Sequence, residues 1–497
     1  MSRRCFIGID GGTEGIRAGV FDATGRALTF ASTPYTTTFP QPAWAEQQPQ
    51  DWWAALGYSV RKAVNEAGVT ADDVAALCVD TTCCSVVALD DRNEPLRPAL
   101  IWMDVRAQAE AQQVAATGDA ALCVNSGGRG PVSAEWMIPK ALWLRQHEPA
   151  LFAAARTVCE YQEYLNLRLT GVLAASLNNV SVRWHYRARD GGWPVDLCAK
   201  AGVPELPSKW PRDVLAPGTP IGALTTDAAA HLGLRPGTLV VQGGSDASVA
   251  MIGLGVVDAG AMALITGSSH LQLGLAEQPL HGTGVWGSYA DAVVPGLHLV
   301  EGGQTSTGSV VSWFRRLLGE SASFEQLDRE VDAIVIGSEG VLAQDHFQGN
   351  RTPHTDPLSR GAIVGLTLRH GRGHILRAIM ESVAYGTRLI LENQRRHGFD
   401  ARELTVSGGV TRSDVWLRIH ADVLGLPLRL TRTGEAACLG GAMLAAVGAG
   451  EYATVPEAAR AMAEVTRVVE PDPVAHAAYA EHLARYRSLY PALRAVC

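Results

Sequence analysis

Two stretches of this chain share one pattern of apolar and polar positions. Near the N-terminus the apolar run 6–9 stops at the tip Asp-Gly-Gly-Thr, residues 10–13, and a second apolar run follows at 16–21. Roughly halfway along, the apolar run 261–265 stops at the tip Thr-Gly-Ser-Ser, residues 266–269. Each copy predicts a β-hairpin with a small, polar tip. Such a tip exposes backbone N–H groups and hydroxyls, so the pattern predicts a duplicated fold with one phosphate-binding tip in each half.

The other elements follow a similar order in both halves. We predict three early strands, a helix, and then strands alternating with helices, which is typical of RNase H-like domains. The predicted fold class is therefore α/β, with two RNase H-like domains. The expected domains are 1–246 and 247–450, followed by a helical tail, 451–497, packed on the second domain. In the first half we predict strands at 5–10, 16–22, 27–34, 74–79 and 86–89 and a helix at 51–67; in the second, strands at 261–276, 297–300, 404–406 and 428–431 and helices at 306–318, 373–396, from 413, and 435–447.

Composition narrows the class of protein. At 497 residues the chain exceeds one hydrophobic core, and 47% apolar with 19% charged residues is typical of a soluble globular protein. The formal net charge of -8, without a long basic run, argues against a nucleic-acid partner. The nine cysteines are scattered without a C-x-x-C pair, so we expect neither a zinc site nor a disulfide framework, and we expect a cytoplasmic location. The apolar stretch 249–265 is interrupted by Asp258 and predicts a buried helix and a strand, not a membrane span; we expect no membrane partner.

The chain lacks two common nucleotide-binding motifs. A P-loop requires G-x-x-x-x-G-K-[ST], and a Rossmann fingerprint places its glycines between a strand and a helix, whereas here they join two strands. Phosphate binding is therefore predicted at hairpin tips and helix starts. The 10–13 tip alone also fits an ordinary tight hairpin. The second tip and Gly408-Gly409 favour phosphate binding and a phosphoryl-transfer enzyme.

Four of these motifs, taken in order, make the chain resemble the FGGY carbohydrate kinases. They are Asp10-Gly11-Gly12-Thr13, Gly243-Gly244-Ser245-Asp246, Gly267-Ser268-Ser269 and Ser407-Gly408-Gly409. Finer features are similar to the ribulokinase branch, in particular its D-ribulose-type kinases: Asp80-Thr81-Thr82-Cys83, Ile101-Trp102-Met103-Asp104 with Arg106, Pro139 to Leu144, Val285-Trp286-Gly287, Glu301-Gly302-Gly303-Gln304 and Gly349-Asn350-Arg351. The resemblance extends from about residue 5 to about residue 450. It implies the two-domain ATPase fold of actin, hexokinase and Hsp70, with a cleft between the domains, and it implies ATP and Mg²⁺ as cofactors.

Two aspartates carry the predicted chemistry. Phosphorylation of a sugar needs a carboxylate that orients a hydroxyl and accepts its proton, and Asp246 matches the position of the family's base. From the residues alone, Asp246 could equally cap the helix that begins there, and the two roles are compatible. The resemblance places Asp10 at the opposite tip, where it would hold Mg²⁺ through water. Ordinary hairpin-turn chemistry is the alternative for Asp10.

The resemblance also implies which residues bind ATP. These are the two tips, the start of the helix after Glu301, and the turn after the strand at 404–406. Arg17 could reach the phosphates or lie on the surface, Gly408-Gly409 could be a simple turn, and His270 replaces a small hydroxyl residue common in the family. The predicted ATP-binding residues are Gly12, Thr13, Arg17, Gly267, Ser268, Ser269, Gly308, Ser312, Gly408, Gly409 and Ser413.

A sugar is recognised by dense, paired hydrogen bonds, which carboxylates and guanidinium groups supply. The predicted sugar-binding residues are Thr82, Cys83, Glu135, Arg183 and Glu301. Arg183 stands where ribulokinases commonly have Lys, and it could instead be a surface arginine. Asp104 and Arg106 could line the cleft or pair with each other.

The sequence thus predicts an ATP- and Mg²⁺-dependent kinase that phosphorylates a terminal hydroxyl of a pentulose, D-ribulose in the first place, to give the 5-phosphate. Within kinases, L-ribulose, xylulose, ribitol or erythritol remain open as acceptors. From other classes, an Hsp70- or actin-like ATPase and a catalytically silent sugar sensor are the alternatives. The resemblance is also compatible with a homodimer.

Overall fold

The computed structural model describes residues 4–128, 132–319 and 323–495. Its strands are β1 Cys5–Gly11, β2 Gly15–Asp22, β3 Ala27–Pro34, β4 Glu46–Gln47, β5 Val74–Thr81, β6 Val86–Leu89, β7 Ala99–Leu100, β8 Thr157–Glu160, β9 Ala174–Ser176, β10 Asp213–Leu215, β11 Pro220–Ala223, β12 Leu239–Ser245, β13 Ala261–Thr266, β14 His270–Ala276, β15 Gly287–Ala290, β16 His298–Gln304, β17 Leu342–Gln344, β18 Ala362–Val364, β19 Glu403–Gly408, β20 Leu428–Thr431 and β21 Val465–Val469.

Its α-helices are α1 Pro49–Ala67, α2 Gln108–Ala116, α3 Met137–His147, α4 Pro149–Ala154, α5 Tyr161–Thr170, α6 Leu177–Arg183, α7 Val195–Ala201, α8 Thr226–Leu232, α9 Asp246–Gly253, α10 Gly308–Leu317, α11 Phe324–Asp332, α12 Arg372–Arg396, α13 Asp414–Leu424, α14 Ala436–Gly448, α15 Val455–Met462 and α16 Pro473–Leu493. Within the described residues, none of these helices is long and apolar enough to cross a membrane.

The chain folds into two compact units. Unit 1 contains residues 1–257, 289–299 and 435–464, and unit 2 contains 258–288, 300–434 and 465–497. The described parts of each unit have their own hydrophobic core.

A six-stranded sheet organises unit 1, in the order β11-β12-β5-β1-β2-β3. Strand β1 is antiparallel to β2 and parallel to β5, and β5 is parallel to β12. The apolar residues of β1 are buried because helices cover the sheet; Trp52 of α1 stacks on Tyr161 of α5 with ring centroids 3.8 Å apart. The carboxyl ends of β1, β5 and β12 therefore meet at one edge of the sheet.

A seven-stranded sheet, β15-β16-β14-β13-β19-β20-β21, repeats this plan for unit 2. The run β3-β2-β1-β5-β12 in the first sheet corresponds to β16-β14-β13-β19-β20 in the second. In both, the hairpin strand that carries the tip pairs with its antiparallel partner on one side and a parallel strand on the other. This confirms the predicted α/β fold with a duplicated, RNase H-like strand order.

Helix α14 belongs to unit 1, although the sequence places it in the predicted second domain. A Cβ atom at Gly8 of β1 would lie 1.7 Å from the Cys438 carbonyl oxygen, and one at Gly440 would lie 2.0 Å from the Val249 carbonyl oxygen. Glycines on α14, β1 and α9 thus let these backbones approach closely. The hydrophobic pattern of α14 does not reveal which sheet it covers.

The segment after residue 451 also differs from the expected helical tail. Helix α15 packs in unit 1 beside α14, residues Val465–Val469 form the edge strand β21 of the second sheet, and α16 belongs to unit 2. The expectation that the whole tail is helical and packs on the second domain is therefore not met by α15 and β21. The β21 sequence Val-Thr-Arg-Val-Val is rich in β-branched residues, but it is short and lacks a regular alternation of apolar and polar positions, so it gives little strand signal.

Candidate active site

Three aspartates lie together at the carboxyl edge of the unit 1 sheet. Asp10 is near the end of β1, Asp80 is in register with it on β5, and Asp246 is the first residue of α9, directly after β12. Because parallel strands in register direct paired side chains to the same face, the Asp10 and Asp80 side chains share one face. The Asp246 carboxylate accepts a hydrogen bond from the Ala247 N–H at 2.7 Å, so it does not bond across the first turn as an N-cap would.

Burial raises the pKa of all three carboxyl groups, and neighbouring carboxylates add to this effect at Asp10 and Asp80. Burial, followed by the negative charge of Asp246, raises the pKa of Asp10 to about 7, although Arg17 partly offsets this effect. Burial raises the pKa of Asp246 to about 6, against the lowering effects of the Ala247 N–H and Arg183. Burial and then the charges of Asp10 and Asp246 raise the pKa of Asp80 well above its usual range. Carboxyl groups with such perturbed titration are typical of functional sites.

Arg17 lies on β2 opposite Asp10 in the hairpin. Its guanidinium forms a close ion pair with Glu435, at the start of α14, and its Nη1 lies 3.9 Å from Asp10 Oδ2. Arg17 thus lies beside the carboxylate cluster, with its side chain 39% exposed.

The first tip is held by side chains from outside the hairpin. The Tyr35 hydroxyl donates to the Gly12 carbonyl, Gln47 Nε2 donates to the Thr13 carbonyl at 2.8 Å, and Trp102 Nε1 donates to Thr13 Oγ1 at 2.8 Å. In each of these bonds the tip contributes an oxygen acceptor, either a backbone carbonyl or the Thr13 hydroxyl. Sequence patterns assigned no role to Tyr35 or Gln47, because neither adjoins a motif.

Thr82 and Cys83 follow β5, whose last residue, Thr81, is in register with Ser245 of β12. The Thr82 N–H donates to the Gly11 carbonyl at 2.9 Å, which ties the β5 end to the tip of β1. Cys83 is partly exposed, and its Sγ lies 3.8 Å from the Sγ of the buried Cys84. Asp104 and Arg106, by contrast, pair with each other through a 2.6 Å contact and are buried.

Arg183 ends α6 and is part of a buried polar group. Its Nη1 donates to the Tyr289 hydroxyl at 3.3 Å, and Asn125 Nδ2 donates to the same hydroxyl at 3.0 Å. Its guanidinium carbon lies 6.0 Å from the centre of the Trp136 ring. Glu135, which precedes Trp136 in the sequence, is partly exposed. Arg183 thus lies within electrostatic range of Asp246. Asn125 and Tyr289 are members of this group that sequence reasoning missed, since they are distant in the chain and outside any motif.

The second tip, in unit 2, is fixed against the start of α10. The Thr307 and Ser309 N–H groups donate to the Ser268 carbonyl, and the Gly308 N–H donates to the Gly267 carbonyl at 3.1 Å. A Cβ atom at Gly308 would lie 2.3 Å from that carbonyl oxygen, so only glycine allows this approach. Ser312 lies one turn further along α10. The first N–H groups of α10 therefore hold the tip in place.

Gly408, at the end of β19, is in register with Thr266 and has a φ of 88°. A Cβ atom there would lie 1.8 Å from the Thr266 carbonyl oxygen, whereas one at Gly409 would meet no atom within 4 Å. Ser413 caps α13 by accepting a hydrogen bond from the Trp416 N–H at 3.2 Å. Gly409 thus offers bare backbone, the feature expected where a flat base binds.

Two other unit 2 residues are buried. The His270 ring turns away from the tip into the core, with its centroid 5.6 Å from that of His420, and burial lowers its pKa well below the usual range. Glu301, in the middle of β16, is 2% exposed. The structure thus groups the predicted residues into a unit 1 set around Asp10 and Asp246 and a unit 2 set around the second tip and Gly408, with Glu301 on a strand of unit 2.

The carboxylate cluster fits a hydrated divalent cation. Among the described residues, no three His, Cys, Asp or Glu side chains are arranged to ligate a metal directly. Mg²⁺ usually keeps several waters and is bound by one or two carboxylates together with phosphates. Both carboxyl oxygens of Asp80 lack a hydrogen-bond partner within the described part of the chain. A cation beside Asp10 would offset the repulsion among these acids.

Comparison with known proteins assigns the family. The model of the FGGY family of carbohydrate kinases, N-terminal domain, matches residues 5–253. The model of the C-terminal domain of the same family matches residues 262–449. The chain belongs to the FGGY family of carbohydrate kinases. It is therefore a sugar phosphotransferase, and kinases of this family use ATP. This confirms the family resemblance on which the sequence prediction rests.

Individual FGGY relatives cover almost the whole chain. The FGGY carbohydrate kinase domain-containing protein of Homo sapiens is 31% identical over 519 residues, covering 94% of this chain and 93% of that protein. A ribulokinase from Shouchella clausii is 31% identical, covering 93% of this chain and 90% of the relative. The crystal structure of xylulose kinase from Rhodospirillum rubrum superposes with a TM-score of 0.89 at 29% identity, covering 99% of both chains.

Proposed function

We propose that this FGGY kinase transfers the γ-phosphoryl group of Mg-ATP to the terminal hydroxyl of D-ribulose, giving D-ribulose 5-phosphate. The observation that carries this proposal is Asp246, a carboxylate with a pKa of about 6 at the carboxyl edge of the unit 1 sheet. A base with a pKa slightly below neutral is ionised at physiological pH and still accepts a proton effectively.

In this mechanism Asp246 orients the acceptor hydroxyl and takes its proton as the phosphoryl group arrives. The Asp246 carboxylate is held by the Ala247 N–H, which fixes its direction at the start of α9. Arg183 contributes positive charge near Asp246, and this charge partly offsets the effect of burial on the carboxylate. We assign Thr82, Cys83, Glu135, Arg183 and Glu301 to sugar binding.

Asp10 would hold the magnesium ion through water, and the ion would neutralise charge on the transferred phosphoryl group. Arg17, anchored by Glu435, is within reach of the same place and supplies a donor for phosphate. We assign the remaining ATP contacts to the two tips, to Gly308 and Ser312, and to Gly408, Gly409 and Ser413. At Gly409 the purine would lie against open backbone.

The choice of a pentulose draws on the relatives. Ribulokinases and a xylulose kinase are both among the similar proteins, and both names denote a pentulose substrate. The motif Asp80-Thr81-Thr82-Cys83 favours the ribulokinase branch, and D-ribulose is our specific acceptor. Xylulose is the second candidate, because the Rhodospirillum rubrum xylulose kinase superposes over the whole chain.

The acceptor is tested by coupled measurement of ADP release with Mg-ATP and a panel of D- and L-ribulose, D- and L-xylulose, ribitol, erythritol and glycerol. We expect D-ribulose to give the highest kcat/KM. A higher kcat/KM for D-xylulose would mean that D-xylulose, and not D-ribulose, is the preferred acceptor. Absence of stimulation by every sugar, in folded protein that binds ATP, would contradict the pentulose proposal.

A further inference from the structure

Asp80 is an unexplained polar group in the core of unit 1. Its side chain is fully buried, and neither carboxyl oxygen has a hydrogen-bond partner among the described residues. Buried polar groups are nearly always bonded, and a carboxyl group without a partner is costly to bury. A hydrophobic residue of similar size would fill the same place at the end of β5 without that cost. The presence of a carboxyl group at this position therefore indicates that it binds a ligand.

The surroundings of Asp80 define the charge of that ligand. Asp10 is in register with it on the adjacent parallel strand, and the charges of Asp10 and Asp246 both act on it. On the helix side, a Cβ atom at Gly441 of α14 would lie 3.5 Å from Asp80 Oδ2 and 3.0 Å from the Cα atom of Gly8. The helix therefore presents small glycine backbone to the carboxyl group. A cation or a water bound to one fits acidic neighbours; an anion does not.

We propose that Asp80 is a second anchor for the hydrated magnesium ion, acting through water beside Asp10. This inference rests on the proposed Mg-ATP-dependent function and adds to it a positioning residue. Two carboxylates with bridging waters, completed by phosphate oxygens, form the kind of site that Mg²⁺ prefers. Asp80, which is fully buried, would thus hold the hydrated ion from the core side, and Asp10, which is partly exposed, would hold it nearer to the surface.

The test measures the affinity for ADP by calorimetry, with saturating Mg²⁺ and with EDTA, so that turnover is not required. In the wild type, we expect Mg²⁺ to tighten ADP binding. In Asp80→Asn and Asp80→Ala, that tightening should fall by about tenfold or more, the usual effect of losing an outer-shell partner of a metal. Asp91→Asn, which changes an exposed aspartate of the same unit, is the matched control and should behave as the wild type.

Thermal melting without nucleotide or metal separates metal binding from a structural role. Because the Asp80 carboxyl group has no protein hydrogen bond to lose, the melting temperature of Asp80→Asn should be equal to or above that of the wild type. The inference is overturned if both Asp80 variants melt lower than the wild type. It is also overturned if they retain the full magnesium effect, or if the wild type shows no such effect.

The outcomes also distinguish this inference from the proposed function. An active pentulose kinase whose Asp80→Asn variant keeps the full magnesium effect would contradict the inference alone. A protein that phosphorylates no sugar, yet loses the magnesium effect in both Asp80 variants, would contradict the proposed function alone.

Discussion

At the scale of single residues, the account depends on how the fold tunes a few carboxyl groups. Asp10, Asp80 and Asp246 come from three adjacent strand ends; burial raises the pKa of each, and repulsion from neighbouring carboxylates raises the pKa of Asp10 and Asp80 further. The same arrangement destabilises the folded protein when these groups are ionised. A cluster of this kind is expected where function and stability conflict.

Asp246 should set the acid limb of the pH profile. Because the base must be ionised, kcat/KM for the sugar at saturating Mg-ATP should fall about tenfold per pH unit below pH 6. Arg183 lowers the pKa of Asp246, so Arg183→Gln should move this limb to higher pH. Asp91→Asn is the control and should leave the limb in place. A limb near pH 4 in the wild type would contradict the assignment of Asp246.

Asp246→Asn should make the protein more stable at high pH. The folded-state pKa lies above the usual value, so the stability from protonated Asp246 is present in acid and is lost as the pH rises through about 6. Because the side chain is partly exposed, we expect a gain of about 1 to 2 kcal/mol at pH 8. The gain should vanish near pH 4. Urea denaturation without ligands measures it, and a variant less stable than the wild type at pH 8 would contradict the destabilising effect of the ionised carboxylate.

At the scale of secondary-structure elements, buried polar anchors and glycine contacts hold the site. Lys140 of α3 is fully buried, and its Nζ donates to the carbonyls of Cys84, Leu100 and Ile101 at 2.7, 3.2 and 2.7 Å. Lys140 therefore ties the loop after Cys83 to β7. The glycines of α14 serve a different purpose, since they allow the helix to pack directly on β1 and α9.

Lys140→Met should destabilise the protein because it removes the hydrogen bonds of Lys140 to three buried carbonyls, of which the Ile101 carbonyl still accepts from the Asp104 N–H. Each unsatisfied group costs about 1 to 3 kcal/mol, and the loss of a buried charge recovers part of this, so we expect a net loss of about 2 to 4 kcal/mol. The free energy of unfolding from urea titration measures the effect. Lys62→Met, at an exposed position of α1, is the matched control and should change stability little. Equal stabilities for the two variants would contradict an anchoring role.

Gly440→Ala should disrupt the packing of α14 on α9. The new Cβ would lie 2.0 Å from the Val249 carbonyl oxygen, and both partners are helix backbone that cannot yield locally. We expect a loss of about 1 to 3 kcal/mol or more, typical of overpacking. Gly434→Ala is the control, because a Cβ there would meet no atom within 4 Å. Differential scanning fluorimetry compares the two, and a similar melting temperature for both would contradict the close contact.

The sequence predicts the secondary-structure elements more completely than it predicts the contacts between those elements. Both hairpins, α12 and α13 are where the apolar pattern of the sequence predicts them, since each contains a continuous or periodic apolar run that is buried in the structure. The assignment of α14 to unit 1 could not be predicted, because an Ala/Gly-rich helix fits against many surfaces. Asp80 carried a signal, an acid at the end of a buried strand, but its lack of a partner emerges only when the neighbouring strands and α14 are placed.

At the scale of the whole molecule, the two sheets have the same strand order, and each carries a polar tip between its first two strands. The tips are supported differently. Side chains of Tyr35, Gln47 and Trp102 hold the first, whereas backbone N–H groups at the start of α10 hold the second. The duplication can be predicted from the sequence because both copies share the same pattern of apolar strands and polar tip. The residues that hold each tip cannot be predicted in this way, because they come from separate segments of the chain.

The central claim is that this FGGY kinase uses Asp246 to phosphorylate D-ribulose. The most direct measurement compares D-ribulose-dependent ADP release by the wild type and Asp246→Asn, with the product identified by ³¹P NMR. We predict D-ribulose 5-phosphate from the wild type, and a fall of at least about 100-fold in kcat for a folded Asp246→Asn protein, within the contribution of a general base. Wild-type-like turnover in folded Asp246→Asn, or no phosphorylated ribulose from the wild type, would contradict the account.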